Sequence, residues 1–318
     1  MSAVFANTRI ASIAVAMLVL SGCSDWLGGT VNKPLEGERI EVLRGGDGIR
    51  TDERIKDLKV ILPRPDANGE WPQAGGYPNH AMHHIAASGS LTRQWSADIG
   101  DGSSDEAQLL AQPVIAGGIV YTVDINAEVS AFDQKNGKRL WQVELSKDDD
   151  NEGILGGGIA IHDGRLFATT GFADVVALDA KSGREIWRKR LSGPIRAAPT
   201  VWAGRVFAAT VANELYALSA DDGRELWTHS GLREVADAGV VVVPYSSGEV
   251  VALRVENGRQ VWTESLTPIR RSDAVSAIAH IRGQPVIDRG IVYIVGNSNR
   301  TVAVDLRTGN RLWEVPVG

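Results

Sequence analysis

The chain has 318 residues, and Lys+Arg 33 against Asp+Glu 39 leaves a net charge of -6, so it carries no basic field to draw nucleic-acid phosphates. Its one cysteine excludes an internal disulfide, a cysteine-rich zinc site and an iron–sulfur cluster. Thirty-five glycines beside few Met and Phe point to many tight turns between short strands rather than long helices.

Residues 1–22 read as a signal peptide. Arg9 precedes an apolar run from Ile10 to Leu20, too short to cross a hydrocarbon core that takes about 20 helical residues. Leu20-Ser21-Gly22-Cys23 resembles a bacterial lipobox, which implies that Cys23 is lipidated and becomes the mature N-terminus. Acylation there exceeds the two signals that stable anchoring needs. Ser24 rather than aspartate follows Cys23, and the resemblance then implies sorting to the outer membrane, facing the periplasm. Residues 23–70 are polar, glycine-rich and mixed in charge, with Pro63, Pro65 and Asn68-Gly69 as breakers, and are expected to form a flexible tether.

Residues 71–318 carry an internal repeat. Ala131-x-Asp133-x3-Gly137-x3-Trp141 recurs with Ala177, Asp179, Gly183 and Trp187, then with Ala217, Ser219, Gly223 and Trp227. Two further copies hold Ala252, Arg254, Gly258 and Trp262, then Ala303, Asp305, Gly309 and Trp313. Trp95 matches only the end of a sixth. Successive tryptophans lie 46, 46, 40, 35 and 51 residues apart, the span of one four-stranded blade.

Within a unit, a β-branched stretch, a Gly turn and a second strand precede the Ala-x-Asp block, as in Ile159 to Thr169 around Asp163-Gly164. A third strand ends at the Asp, whose side chain bonds its own backbone while Gly takes a positive φ, and a fourth carries the Trp. Four short strands bury little alone, and radial stacking lets each sheet cover its neighbour. The expected fold is an all-β propeller in which the alanine lies toward the axis and the indole fills the wedge between blades, its N–H seeking a partner. No tryptophan is followed by aspartate, against the WD40 variety.

The unit resembles the repeat of pyrroloquinoline-quinone dehydrogenase propellers and of the non-enzymatic propellers that share it. With the lipobox and the run from Trp71 to Gly76, the chain resembles the BamB family, lipoproteins of the outer-membrane β-barrel assembly machine. That resemblance implies a periplasmic scaffold with no catalytic residue and no cofactor, bound to the barrel insertase and to unfolded outer-membrane proteins. Two interblade loops carry the insertase contacts in the family. A Leu-Arg pair in the first matches Leu232-Arg233, in a unit about ten residues shorter than the family's; the second loop holds Arg271, Asp273, His280 and Arg282. The family's rings have eight blades, whereas five full repeats and one orphan strand are visible here. The expectation is therefore a ring incomplete at its C-terminus, short by on the order of 110 residues.

Other chemistry has weaker signals. His80, His83 and His84 are clustered imidazoles of the kind that bind zinc, but no Cys, Asp or Glu lies among them, and no metal is expected. Lys147 to Gly153 is oxygen-rich without the alternate spacing of a calcium loop, and Gly156 to Gly158 and Gly45 to Gly48 lack the helix and Lys-Ser/Thr of a phosphate cradle. The adjacent cysteines of many quinone enzymes are missing. A quinone-dependent dehydrogenase and a periplasmic ligand-binding lipoprotein stand as the rival readings.

Overall fold

A computed structural model describes residues 53, 57–87, 89–104, 108–146, 156–230, 235–245, 248–266, 284–296 and 300–316, all in the second of two compact units, Ile49–Gly318. The predicted signal peptide, Cys23 and most of the tether lie outside them. Every regular element described is a strand. Blade 1 comprises β1 (Val114–Ala116), β2 (Ile119–Val123), β3 (Glu128–Asp133) and β4 (Arg139–Glu144). Blade 2 follows with β5 (Gly157–His162), β6 (Arg165–Thr170), β7 (Asp174–Asp179) and β8 (Glu185–Arg190). Blade 3 has β9 (Thr200–Trp202), β10 (Arg205–Ala209), β11 (Glu214–Ser219) and β12 (Glu225–Ser230). Blade 4 is β13 (Val235–Asp237), β14 (Val240–Pro244), β15 (Glu249–Arg254) and β16 (Gln260–Ser265). Blade 5 is β17 (Val286–Asp288), β18 (Ile291–Gly296), β19 (Arg300–Asp305) and β20 (Arg311–Pro316).

Each blade is one antiparallel sheet in chain order, as the repeat predicts. Contacts between blades run through the first strands, β1 to β5, β5 to β9, β9 to β13 and β13 to β17, which puts the first strand of each blade innermost. Apolar side chains gather between blades rather than within them. Val129, Leu145, Ile159 and Leu178 fill the space between blades 1 and 2, and Phe207, Val241, Val243 and Leu253 that between blades 3 and 4.

The indole seat is the unit of interblade adhesion. Trp187 donates Nε1–H to Ala220 O of the next blade at 3.1 Å, and Trp95, Trp141, Trp227 and Trp262 donate likewise to Gln134, Ala180, Val255 and Leu306. Each ring lies on the next repeat's glycine. At Gly223, where φ is +70°, a Cβ would come within 2.6 Å of Trp187 Cε3, so this position requires glycine twice, for its conformation and for its flatness. Trp95 occupies such a seat although residues 91–98 form no paired strand. Trp313, whose ring meets no repeat glycine among the described residues, is 42% exposed.

The alanine does not lie toward the axis. It sits on the third strand, with Ala131 paired to Tyr121 on one side and Trp141 on the other, and a bulge follows it in every blade. The Tyr121 and Trp141 rings meet over it at 6.0 Å, and Phe167–Trp187, Phe207–Trp227 and Tyr293–Trp313 repeat the pair. A larger side chain there would part the two rings. Blade 4 differs, with Val242 in the aromatic position.

Candidate functional site

Antiparallel order sorts the connections onto two ends. The loops between blades and the turns between second and third strands share one end, here the loop end; the other two turns of each blade make the turn end. The interblade loops at the loop end are unequal, spanning residues 145–156, 191–199, 231–234 and 266–285. The predicted partner residues Leu232, Arg233, Arg271, Asp273, His280 and Arg282 fall in the third and fourth of these, outside the described residues.

What the described loop end shows is a buried ion pair. Arg188 Nη1 donates to Asp174 Oδ2 at 2.9 Å and to Leu145 O of the preceding blade at 3.0 Å, while its Nη2 reaches Glu185. Burial opposes the Arg188 charge, and the bonds from Glu185 and Asp174 outweigh it and raise its pKa above the ordinary value. Beside blade 4, the Tyr245 hydroxyl meets His229 Nδ1 at 2.9 Å; burial, then the Glu249 charge, push its pKa up to about 12, so it stays protonated.

Sequence reasoning missed the axial strap. Residues 71–80 cross the innermost strands of all five blades. Trp71 exchanges two backbone bonds with Ile115 of β1, and Ile161 N of β5 donates to Pro72 O at 2.8 Å. Gln73 meets β9 with its side chain, Nε2 donating to Val201 O at 2.8 Å and Oε1 accepting from Val201 N at 2.9 Å, so its amide imitates a strand backbone. After a tight turn in which Gln73 and Gly76 exchange backbone bonds, Pro78 O accepts from Ala236 N of β13 and Asn79 O from Ile287 N of β17. Prolines fit at 72 and 78 because only their carbonyls are used. The sequence signal was the run from Trp71 to Gly76, which has no period to betray its partners.

The three histidines part company. His80 Nδ1 donates to Pro285 O at 3.0 Å, His84 Nδ1 meets Pro63 O at 2.8 Å, and His83 Nε2 stands 3.7 Å from Asp288 Oδ1. Among the described residues no three His, Cys, Asp or Glu gather as a metal would need. Burial holds the His80 imidazole below its ordinary pKa, against the opposing pull of its bond to Pro285.

The turn end repeats a cap. Asp179 Oδ1 accepts from Ser182 N and Oγ, and Asp305 Oδ1 from Arg307 N, Thr308 N and Thr308 Oγ1, with both carboxyls held below their usual range, first by the hydroxyl bond. Blade 4 breaks the pattern, since Arg254 stands where the Asp belongs. Between blades 4 and 5 lies a cleft of about 620 Å³ lined by Val240, Arg254, Glu256, Val261, Arg289, Leu306, Arg307 and their neighbours.

Radial four-stranded sheets joined by indole seats define a β-propeller of the pyrroloquinoline-quinone repeat type. A family model described as outer membrane protein assembly factor BamB matches residues 82–154 and 125–318, and the chain belongs to that family. Outer membrane protein assembly factor BamB of Alkalilimnicola ehrlichii is 42% identical over 53 residues, 17% of this chain and 14% of the relative. Among solved structures, BamB from Moraxella catarrhalis has a TM-score of 0.53 at 22% identity, over 64% of this chain and 60% of that one. The quinohemoprotein alcohol dehydrogenase from Comamonas testosteroni has a TM-score of 0.62 at 16% identity, over 78% and 49%. The match thus spans less than two thirds of each relative's length, and the two structural likenesses speak for the fold alone.

Proposed function

We propose that this chain is a non-catalytic lipoprotein scaffold of outer-membrane β-barrel assembly, anchored through Cys23 and facing the periplasm. The observation that carries the reading is the family match over 82–318 on a frame that sends every interblade loop to one end. In this reading the loop end grips the barrel insertase through Leu232, Arg233, Arg271, Asp273, His280 and Arg282. Client chains pair with loops or strand edges, main-chain bonds giving affinity. No group in the reading transfers a proton or an electron. The test is capture of the insertase by the full chain: Leu232→Ala with Arg233→Ala should weaken it at least about tenfold, about 1.4 kcal/mol. Unchanged capture removes the contact from the reading.

The rival, a quinone-dependent dehydrogenase, stays open because the Comamonas testosteroni enzyme shares the fold. Dye reduction with added quinone, calcium and alcohol separates the two; turnover above the protein-free rate sinks the scaffold.

A further inference from the structure

One departure from the repeat, Arg254, meets a variable position at the blade 4–5 cleft: the first residue of the second strand is Ile119, Arg165, Arg205, Val240 and Ile291 in blades 1 to 5. In blade 2 the first residue of the second strand is Arg165, paired with Asp179. Its Nη1 crosses to blade 3, donating to Ala220 O at 3.0 Å and to Asp221 Oδ1 at 2.6 Å, and so closes the gap beside the Trp187 seat. The same register in blade 4 pairs Val240 with Arg254. Val240 is too short to cross, and the residue that corresponds to Asp221 is Arg307. Leu306 O, the counterpart of Ala220 O, accepts from Trp262 Nε1 and, among the described residues, from no guanidinium. The gap that an arginine fills between blades 2 and 3 is therefore open between blades 4 and 5.

Arg254 deepens the contrast. An aspartate there would bond its own turn, as Asp133, Asp179 and Asp305 do, and losing such a hydrogen bond costs on the order of 1 kcal/mol. A local rule broken with no local compensation marks a position kept for another purpose. The charges around the cleft are Arg254, Arg289, Arg307, Glu256 and Asp305. Arg289 is held by Asp288 at 3.0 Å, and Asp305 Oδ1 is taken up by its own turn. Arg254 and Arg307 make no ion pair among the described residues, although the charges of Arg307 and Asp305 act on each other, so the cleft sets two guanidiniums beside Glu256 and the turn-held Asp305. The walls are apolar, with Ala238, Val240, Val261 and Leu306. A volume of about 620 Å³ is within the range of small-ligand sites.

We infer that this cleft binds an apolar carboxylate, its hydrocarbon against Val240, Val261 and Leu306 and its oxygens between Arg254 and Arg307. A guanidinium pair suits a carboxylate's two oxygens, and the apolar walls add burial that an inorganic anion would not gain. The chemistry is shared by the C-terminus of a peptide ending in an aliphatic residue and by a free short-chain acid. The site lies at the turn end, away from the proposed insertase contacts, so it stands or falls independently of them.

The experiment uses the full chain and three probes: acetyl-Ala-Ala-Leu with a free carboxylate, the same peptide as its C-terminal amide, and hexanoate. The readout is the Trp262 indole N–H resonance, whose bond partner Leu306 lines the cleft, with the Trp187 and Trp227 indoles as internal references. The free acid should shift Trp262 saturably while the references stay still, and the amide should bind at least about tenfold more weakly. Arg254→Ser with Arg307→Asp, which installs the blade 3 residues, should cost the same factor, and Val240→Arg should abolish binding by filling the gap. Tighter binding of the peptide than of hexanoate points to a peptide terminus, and the reverse to a free acid. Equal affinity of acid and amide in the unmutated chain, equal shifts at all three indoles, or no saturable shift at about 10 mM overturns the proposal; the acid–amide comparison decides even if a variant does not fold.

Discussion

The interface between blades 2 and 3 and that between blades 4 and 5 use the same seat and differ at the rim. Trp187 over Gly223 and Trp262 over Gly309 each bury an indole on a flat glycine and donate to the following blade's backbone. Outside that seat, Arg165 bridges the first interface while Val240 leaves the second open. Adhesion and recognition are thus separable here: the seat holds the blades, and the rim is free to vary.

The largest expected effect tests whether the seats are equal. Gly223→Ala and Gly309→Ala should each cost about 2–4 kcal/mol, the sum of left-handed backbone strain and an overpacked indole, and should agree within about 1 kcal/mol in urea midpoints. A much cheaper Gly309→Ala would mean that the open rim relaxes the seat and would end the separation. Next comes the strap. Gln73→Ala strands Val201 N and O in the core and should cost about 1–3 kcal/mol, with hydrogen-exchange protection lost first in β9. Loss spread evenly over all blades would show that the strap acts as one body.

The smallest effect is titratable and lies on the blade 5 side. The folded His80 pKa lies below the ordinary imidazole value of about 6.5, chiefly because the ring is buried, so folding favours the neutral ring. Its contribution is complete above about pH 6.5 and is lost as pH falls through the lower folded value, because the unfolded chain then binds more protons. Stability measured from pH 7.5 down to 5 should fall with a slope below about 1.4 kcal/mol per pH unit from this group. His80→Asn, which tolerates the positive φ of 57°, should flatten it by that amount. An unchanged slope would assign the acid sensitivity elsewhere. The amide of Gln73 does not titrate, so acid should loosen blade 5 before blade 3.

The strands and the indole seats were legible because they recur, and a period survives without knowledge of any partner. The alanine was misplaced because spacing fixes which residues are equivalent, not how far they stand from the axis; Ala131 is set by the rings of Tyr121 and Trp141 that flank it. The strap stands in the sequence as a plain run of residues and its role is hidden there, since Pro72, Pro78 and Asn79 act through carbonyls that any residue owns. The blade 4 departure at Arg254 was written in the aligned repeats, opposite Val240 at a position that varies between Ile, Arg and Val. Its meaning needed the register that sets the two residues opposite each other.

A stack of repeats ordinarily behaves as a one-dimensional array, each member stabilised by the two beside it and able to melt from an end. The ten residues that touch every first strand change that arithmetic. They couple blades separated by more than a hundred residues, raise the contact order, and make settling of the sheets wait on a segment synthesised before any of them. Folding should therefore be slower and more all-or-none than for a bare array of the same five sheets.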